Sequence, residues 1–197
     1  SPNLAVFAAA FCSSLTDIPF FDEVVDPQTG ETIEQRRFAN SVTPGLEVEI
    51  IGRYEGFRAS LTATLQNPEY NDFEFSQDTD GDGELENFDF SGNRVRRIPR
   101  YVIDFKPSYA IGPVTVFGNA QLDDERFVDD ANNVTLPSYV LLGAGASYDF
   151  QQFRVQLNGS NLTNTIGLTE GNPRVGQVVG VEQDIYMARP VLGRQAK

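Results

Sequence analysis

Val114-Thr-Val-Phe-Gly-Asn-Ala-Gln-Leu-Asp123 sets Val114, Val116, Ala120 and Leu122 on one side of an extended chain and Thr115, Asn119, Gln121 and Asp123 on the other. Successive side chains of a strand point to opposite sides, so this period of two predicts a strand with one apolar and one wet face. The same division recurs in both directions. Towards the N-terminus, Phe57, Ala59, Leu61, Ala63 and Leu65 alternate with Arg58, Ser60, Thr62, Thr64 and Gln66. Towards the C-terminus, Phe153, Val155 and Leu157 alternate with Arg154, Gln156 and Asn158. Few stretches carry apolar residues at helical spacing, so the fold class is all-β. Alternation alone fits a sandwich as well as a barrel.

Connection lengths separate the two. Strands are predicted at 4–13, 36–54, 57–66, 95–110, 114–123, 135–148, 153–160 and 183–194. The links between them alternate in length. Short ones fall at Glu55-Gly56, Ile111-Gly112-Pro113 and Asp149-Phe150-Gln151-Gln152; long ones, rich in Asp, Asn, Gly and Pro, fall at 14–35, 67–94, 124–134 and 161–182. Strict alternation puts every long loop at one end of an antiparallel up-and-down meander, as in outer-membrane barrels with tight periplasmic turns and long external loops. Tyr54, Phe57, Tyr109, Tyr148, Phe150 and Phe153 gather around the short turns, where an interfacial aromatic girdle belongs.

Composition removes most other readings. A net charge of −13 argues against a phosphate-backbone partner, so no nucleic acid is expected. No apolar run reaches the roughly 18 residues of a spanning helix, a test that barrel strands never meet because they alternate. With no histidine and a lone cysteine, Cys12, the chain cannot supply imidazole acid–base chemistry, a His-ligated metal or an internal disulfide. An enzyme is not expected. Glu47 and Glu49 share one strand face with Arg53 and Arg58, and in the same register Asp104, Lys106, Asp123 and Arg154 lie on the polar side. A barrel must turn that side inward, because a basic residue at the lipid midplane costs roughly 2–4 kcal/mol.

Asn158-Gly-Ser-Asn-Leu-Thr-Asn-Thr-Ile-Gly-Leu-Thr-Glu-Gly-Asn-Pro-Arg174 resembles the penultimate-strand region of TonB-dependent outer-membrane receptors, most specifically at Asn161-Leu-Thr-Asn164. Leu4-Ala-Val-Phe-Ala-Ala-Ala-Phe11, Gly45-Leu-Glu-Val-Glu49 and Arg97-Ile-Pro-Arg-Tyr-Val-Ile103 resemble further landmarks of that family, in its order. The resemblance implies about eight C-terminal strands of a 22-stranded barrel in the outer membrane of a Gram-negative bacterium. It also implies a plug domain inside the barrel, energy delivered through the plug by the TonB complex, and uptake of a small molecule such as an iron–siderophore, cobalamin or an oligosaccharide. Residues 1–197 are then expected to be a partial barrel domain, without the plug and without the end of the final strand. Glu47 and Glu49 would line the wall against the plug. Two other readings stay open: a soluble extracellular β-sandwich for binding or adhesion, and a passive porin-like channel.

Ligand recognition is expected in the long loops, since loops on a rigid scaffold carry binding. Phe20, Phe21, Tyr70, Phe88, Phe90 and Phe127 could stack on a chelator or sugar, and Arg94 and Arg126 could attract an anionic ligand. The alternative is that they pack the loops on one another. No resident cofactor is required, with one possible exception. Asp78-Thr-Asp80-Gly-Asp82-Gly83-Glu84-Leu-Glu86 repeats the opening of a calcium loop, with oxygen donors at alternate positions and a glycine for the turn. Asp78, Asp80 and Asp82 would be ligands, Glu84 would contribute its carbonyl, and Glu86 or Asp89 would complete the shell. Against this stands a solvated acidic loop that binds nothing specific.

Overall fold

The computed structural model describes residues 3–25, 29–78, 82–173 and 186–196, and among them there is no helix. The strands, in chain order, are β1 (Leu4–Val25), β2 (Thr32–Tyr54), β3 (Phe57–Gln66), β4 (Glu69–Asp72), β5 (Glu74–Gln77), β6 (Glu86–Asp89), β7 (Tyr101–Ile111), β8 (Val114–Asp123), β9 (Arg126–Phe127), β10 (Thr135–Leu136), β11 (Tyr139–Phe150), β12 (Phe153–Ser160), β13 (Leu168–Pro173), β14 (Tyr186–Pro190) and β15 (Gln195–Ala196). Eight of them form an antiparallel meander in the order β1-β2-β3-β7-β8-β11-β12-β15. The remaining strands belong to the long connections, where β4 pairs with β2, β5 with β6, β9 with β10 and β13 with β14.

The Glu55-Gly56 turn is as its sequence indicates, and the other two short turns are tighter, at 112–113 and 151–152. The ladder closes at Tyr54↔Phe57, Ile111↔Val114 and Phe150↔Phe153, leaving two residues in each turn. Glu55, Gly112 and Gln151 take φ of 50°, 57° and 51°, the left-handed start that lets a two-residue turn follow the twist of its strands. Adjacent turns are tied together, Ala110 N–H donating to the Gly56 carbonyl at 2.9 Å and Asp149 N–H to that of Pro113 at 2.9 Å.

Several elements differ from expectation. The first hairpin does not end near residue 13: β1 and β2 stay paired out to Val25↔Thr32. A register shift between Leu15 and Ile18, with Asp17 at φ 53°, reverses which parity faces each side, so alternation beyond it looks broken. The strand expected from residue 95 begins at Tyr101, because Arg97 is left-handed at φ 68° and Pro99 brings no N–H. Pro137 divides 135–148 into β10 and β11. The segment 183–194 is not the eighth strand of the meander: Tyr186–Pro190 pairs with Leu168–Pro173 inside the long connection, and β12 is joined instead by Gln195–Ala196. Residues 183–185 lie outside those described. Alternation identifies a strand without naming its partner.

Candidate functional site

Cross-strand pairing assigns every wall residue to a face. Glu49↔Thr62↔Asp104↔Gln121 and Glu47↔Thr64↔Val102↔Asp123 are successive rows on one side, followed towards the turns by Ser60↔Lys106 and by Arg53↔Arg58↔Ser108. Asp149↔Arg154 belongs to the same side. All eight predicted polar-face residues, Glu47, Glu49, Arg53, Arg58, Asp104, Lys106, Asp123 and Arg154, therefore share one face. They are also sorted by height. Glu47, Glu49, Asp104 and Asp123 occupy the rows nearer the long loops, and Arg53, Arg58, Lys106 and Arg154 those nearer the turns. A groove of about 450 Å³ runs along the acidic rows, lined by Phe7, Glu47, Glu49, Thr62, Thr64 and Asp104 among others. The opposite face carries Val48, Ile50, Leu61, Ala63, Ile103, Phe105, Ala120, Leu122, Leu142 and Ala144, with Tyr54, Phe57, Tyr109, Tyr148, Phe150 and Phe153 at its turn end.

The buried apolar residues lie at the other end. Ala39, Tyr70 and Phe73 form a core, with Phe20, Phe75, Phe90 and Val95 packed on it. Phe20 stacks on Phe73 with ring centroids 5.0 Å apart, and Phe75 on Phe88 at the same distance. Cations cover the rings: Arg37 is 3.8 Å from the Phe75 centroid, Arg96 5.0 Å from Phe20 and Arg94 4.9 Å from Phe127. A polar network joins this cluster to the connection 124–134. Tyr70 O–H donates to Asp130 at 2.6 Å, Arg96 stands 3.3 Å from the same carboxylate, and Asn93 donates to the Asp130 carbonyl at 2.9 Å. Arg94 N–H donates to the Asn132 side chain, which returns a bond to the Arg94 carbonyl, at 2.8 and 2.9 Å. The Asp129 carboxylate accepts the N–H groups of Asn133 and Val134 at 3.2 and 3.0 Å. Burial, reinforced by Asp130, pushes the Tyr70 hydroxyl well above its ordinary value and keeps it a donor.

The two connections are thus one body, and the predicted loop residues take different places in it. Phe20, Tyr70, Phe88 and Phe90 join the aromatic cluster, with Arg94 and Phe127 stacked beside it. Tyr70 is only 1% exposed, and Arg126 is buried with its guanidinium 3.0 Å from Asp123 and 3.2 Å from the Thr169 carbonyl. Their polar groups are spent inside the loop body. Phe21 is 55% exposed on the other side of the first hairpin, under the Arg36 guanidinium. Sequence reading missed Asp124, Asp129, Asp130 and Asn132. The available signal was complementarity between the run Arg94-Val-Arg-Arg-Ile-Pro-Arg100 and the acids at 123–130.

In the acidic loop, carboxylate oxygens of Asp78, Asp82 and Glu86 lie within 4.8 Å of one another. Asp78 accepts Gly83 N–H at 3.0 Å and Asp82 accepts Glu84 N–H at 2.7 Å, which curls the loop. Asp89 is not brought into this group: its carboxylate accepts Ser91 N–H at 2.8 Å, and the bonds from Ser91 hold it below the usual carboxylate range. Glu84 is exposed, and Asp80 lies outside the described residues.

Asn161-Leu-Thr-Asn164 forms the turn that ends β12. Asn161 and Asn164 are both left-handed, at φ 47° and 54°, a conformation asparagine tolerates because its short amide bonds locally. Asn161 is buried; its amide accepts Thr165 N–H at 2.8 Å and donates to the carbonyls of Thr165 and Leu192 at 2.9 and 3.0 Å.

A two-faced antiparallel meander, tight turns at one end and an ordered loop body at the other define a segment of β-barrel wall. Residues 2–162 match the model of the family described as TonB dependent receptor-like, beta-barrel, and the chain belongs to that family. TonB-dependent receptors are outer-membrane barrels of Gram-negative bacteria, with a plug domain, and they are transporters rather than enzymes. No curated protein matches the sequence. Among solved structures, the siderophore receptor PiuA of Acinetobacter baumannii is similar at 20% identity and TM-score 0.72, over 98% of this chain and 25% of its own. The ferric yersiniabactin uptake receptor FyuA of Yersinia pestis is similar at 16% identity and TM-score 0.69, over 100% and 27%. The ferric-catecholate import receptor Fiu of K12 E. coli is similar at 17% identity and TM-score 0.64, over 98% and 24%. The chain spans about a quarter of the length of the solved receptors it matches.

Proposed function

We propose that this chain supplies eight wall strands and the external loop body of an outer-membrane receptor that actively takes up an iron–siderophore. The observation that carries the reading is the family match across residues 2–162. The similar receptors, one for a siderophore, one for ferric yersiniabactin and one for a ferric catecholate, make a ferric chelate the first substrate class to test, ahead of cobalamin or an oligosaccharide. The apolar face meets lipid, and the face bearing Glu47, Glu49, Asp104 and Lys106 meets a plug, whose contact surface should be basic towards the loops and acidic towards the turns. TonB delivers energy through that plug. Ligand recognition falls to exposed and partly exposed loop side chains, Phe21, Phe88, Phe90 and Phe127, on the frame set by Tyr70, Arg94 and Arg126. Calcium is the cation proposed for the converging carboxylates of Asp78, Asp82 and Glu86.

Deleting the complete gene is expected to abolish growth on one ferric siderophore as sole iron source. Restored growth must require both the plug and a working TonB system; restoration by a plug-less barrel without TonB would make the protein a passive channel. Loss on cobalamin or an oligosaccharide instead would move the substrate and leave the receptor. Recovery of the full-length product in the soluble periplasm or medium would replace the receptor with a soluble sandwich.

A further inference from the structure

The strand beginning at Gln195 enters the wall after a long connection, as β7 and β11 do, but it meets its neighbour through a much shorter ladder among the described residues. Three pairs are joined by two-residue turns, which fix register by themselves. β12 and β15 are joined through residues 161–194, and a connection of that length leaves register free. Slippage by one residue would reverse every following side chain between the apolar and polar faces. Among the described residues, the ladder between them holds only Gly159↔Ala196 and Ser160↔Gln195.

Side chains of the Asn161–Asn164 turn span the gap. The Asn161 amide donates to the Leu192 carbonyl at 3.0 Å, and the Asn164 side-chain oxygen accepts Arg194 N–H at 3.1 Å, one residue before β15. Val191 N–H donates to the Gly167 carbonyl at 2.8 Å, so the segment leading into β15 is gripped at three points. The turn is itself anchored to the wall, with Leu162 N–H donating to the Leu142 carbonyl of β11 at 2.8 Å. We infer that Asn161 and Asn164 form a register clamp, which sets β15 against β12 and thereby fixes which residues of that strand face lipid and which face the interior. Asn161 is suited to this because one carboxamide must accept from Thr165 and donate to Leu192 at once. Aspartate could keep the turn but not the tether.

In a Cys12→Ser form of the full-length receptor, Ser160→Cys with Gln195→Cys reports the native register by oxidative cross-linking. Ser160→Cys with Arg194→Cys or Ala196→Cys reports a one-residue slip. Among receptors that fold, judged by heat-modifiable gel mobility, Asn161→Ala and Asn161→Asp are each expected to lower the native cross-link about fivefold or more and to raise a slipped one, as expected for a buried polar tether left unmade. Asn164→Ala should give a smaller loss. A native cross-link unchanged by Asn161→Asp would reduce the motif to a local turn and overturn the clamp. If Asn161→Ala prevents folding, Asn164→Gly decides, because glycine keeps the left-handed turn at φ 54° and removes the acceptor for Arg194; an unchanged cross-link there would also overturn it.

Discussion

The two ends of this sheet hold their register in different ways. At the turn end, neighbours in sequence are neighbours in space: Tyr54 faces Phe57, Ile111 faces Val114 and Phe150 faces Phe153. At the loop end, the bonds that matter join Tyr70 to Asp130 and Arg94 to Asn132, residues far apart in the chain. Turn geometry is written locally and tolerates change in the side chains around it. A buried polar network is cooperative, so removing one member leaves its partners desolvated and unpaired. Failure at the loop end should therefore be larger but confined to the loops, whereas failure at the turn end should be smaller and felt in assembly of the wall.

Asp130→Ala is the strongest challenge to this contrast. It removes the acceptor for the Tyr70 hydroxyl and the partner of Arg96, and is expected to cost the loop body roughly 2–4 kcal/mol. Amide exchange in the full-length receptor should speed up across residues 67–100 and 124–134 while the wall strands stay protected; Tyr70→Phe should do the same more weakly. Uniform loss of protection in loops and wall together would mean that the two ends are not separate units. At the turn end, a Cβ on Gly56 would lie 2.4 Å from the Ala110 carbonyl oxygen, a backbone atom that cannot rotate away. Gly56→Val should cost about 1–3 kcal/mol and lower the folded fraction on gels without changing loop exchange. A normal folded yield would show that the turns contribute less than their geometry implies.

The same contrast explains what could be read in advance. β3, β8 and β12 were legible to the residue because each starts at a tight turn and alternates along its length, with only Phe117-Gly118 of β8 breaking the pattern. The single polar face was legible too, since alternation fixes parity along each strand. Lost to the reading were features that depend on distant partners: the parity reversal after Leu15, the pairing of Tyr186–Pro190 with Leu168–Pro173, and the burial of Tyr70. Asn161 stood out only as part of a family motif, because the carbonyl it holds, that of Leu192, lies across a long connection.

The smallest expected effect tests whether the acidic loop adds a third kind of order, set by an ion. Three carboxylates converging within 4.8 Å repel one another, and a divalent cation would remove that repulsion. The gain is limited because Glu84 is exposed and Asp89 is already engaged by Ser91, so few protein donors remain for a full shell. Calcium titrated calorimetrically into the detergent-solubilised full-length receptor is therefore expected to bind with Kd on the order of 1 mM, the range of extracellular modules. Asp82→Ala and Glu86→Ala should abolish the signal, Asp80→Ala should weaken it if that side chain joins the shell, and Asp89→Ala should leave it unchanged. Equal loss with Asp89→Ala would mean that general acidity, not this arrangement, attracts the ion. Binding weaker than several millimolar, or indifferent to Asp82→Ala and Glu86→Ala, would leave a solvated loop held in part by the Gly83 and Glu84 N–H bonds.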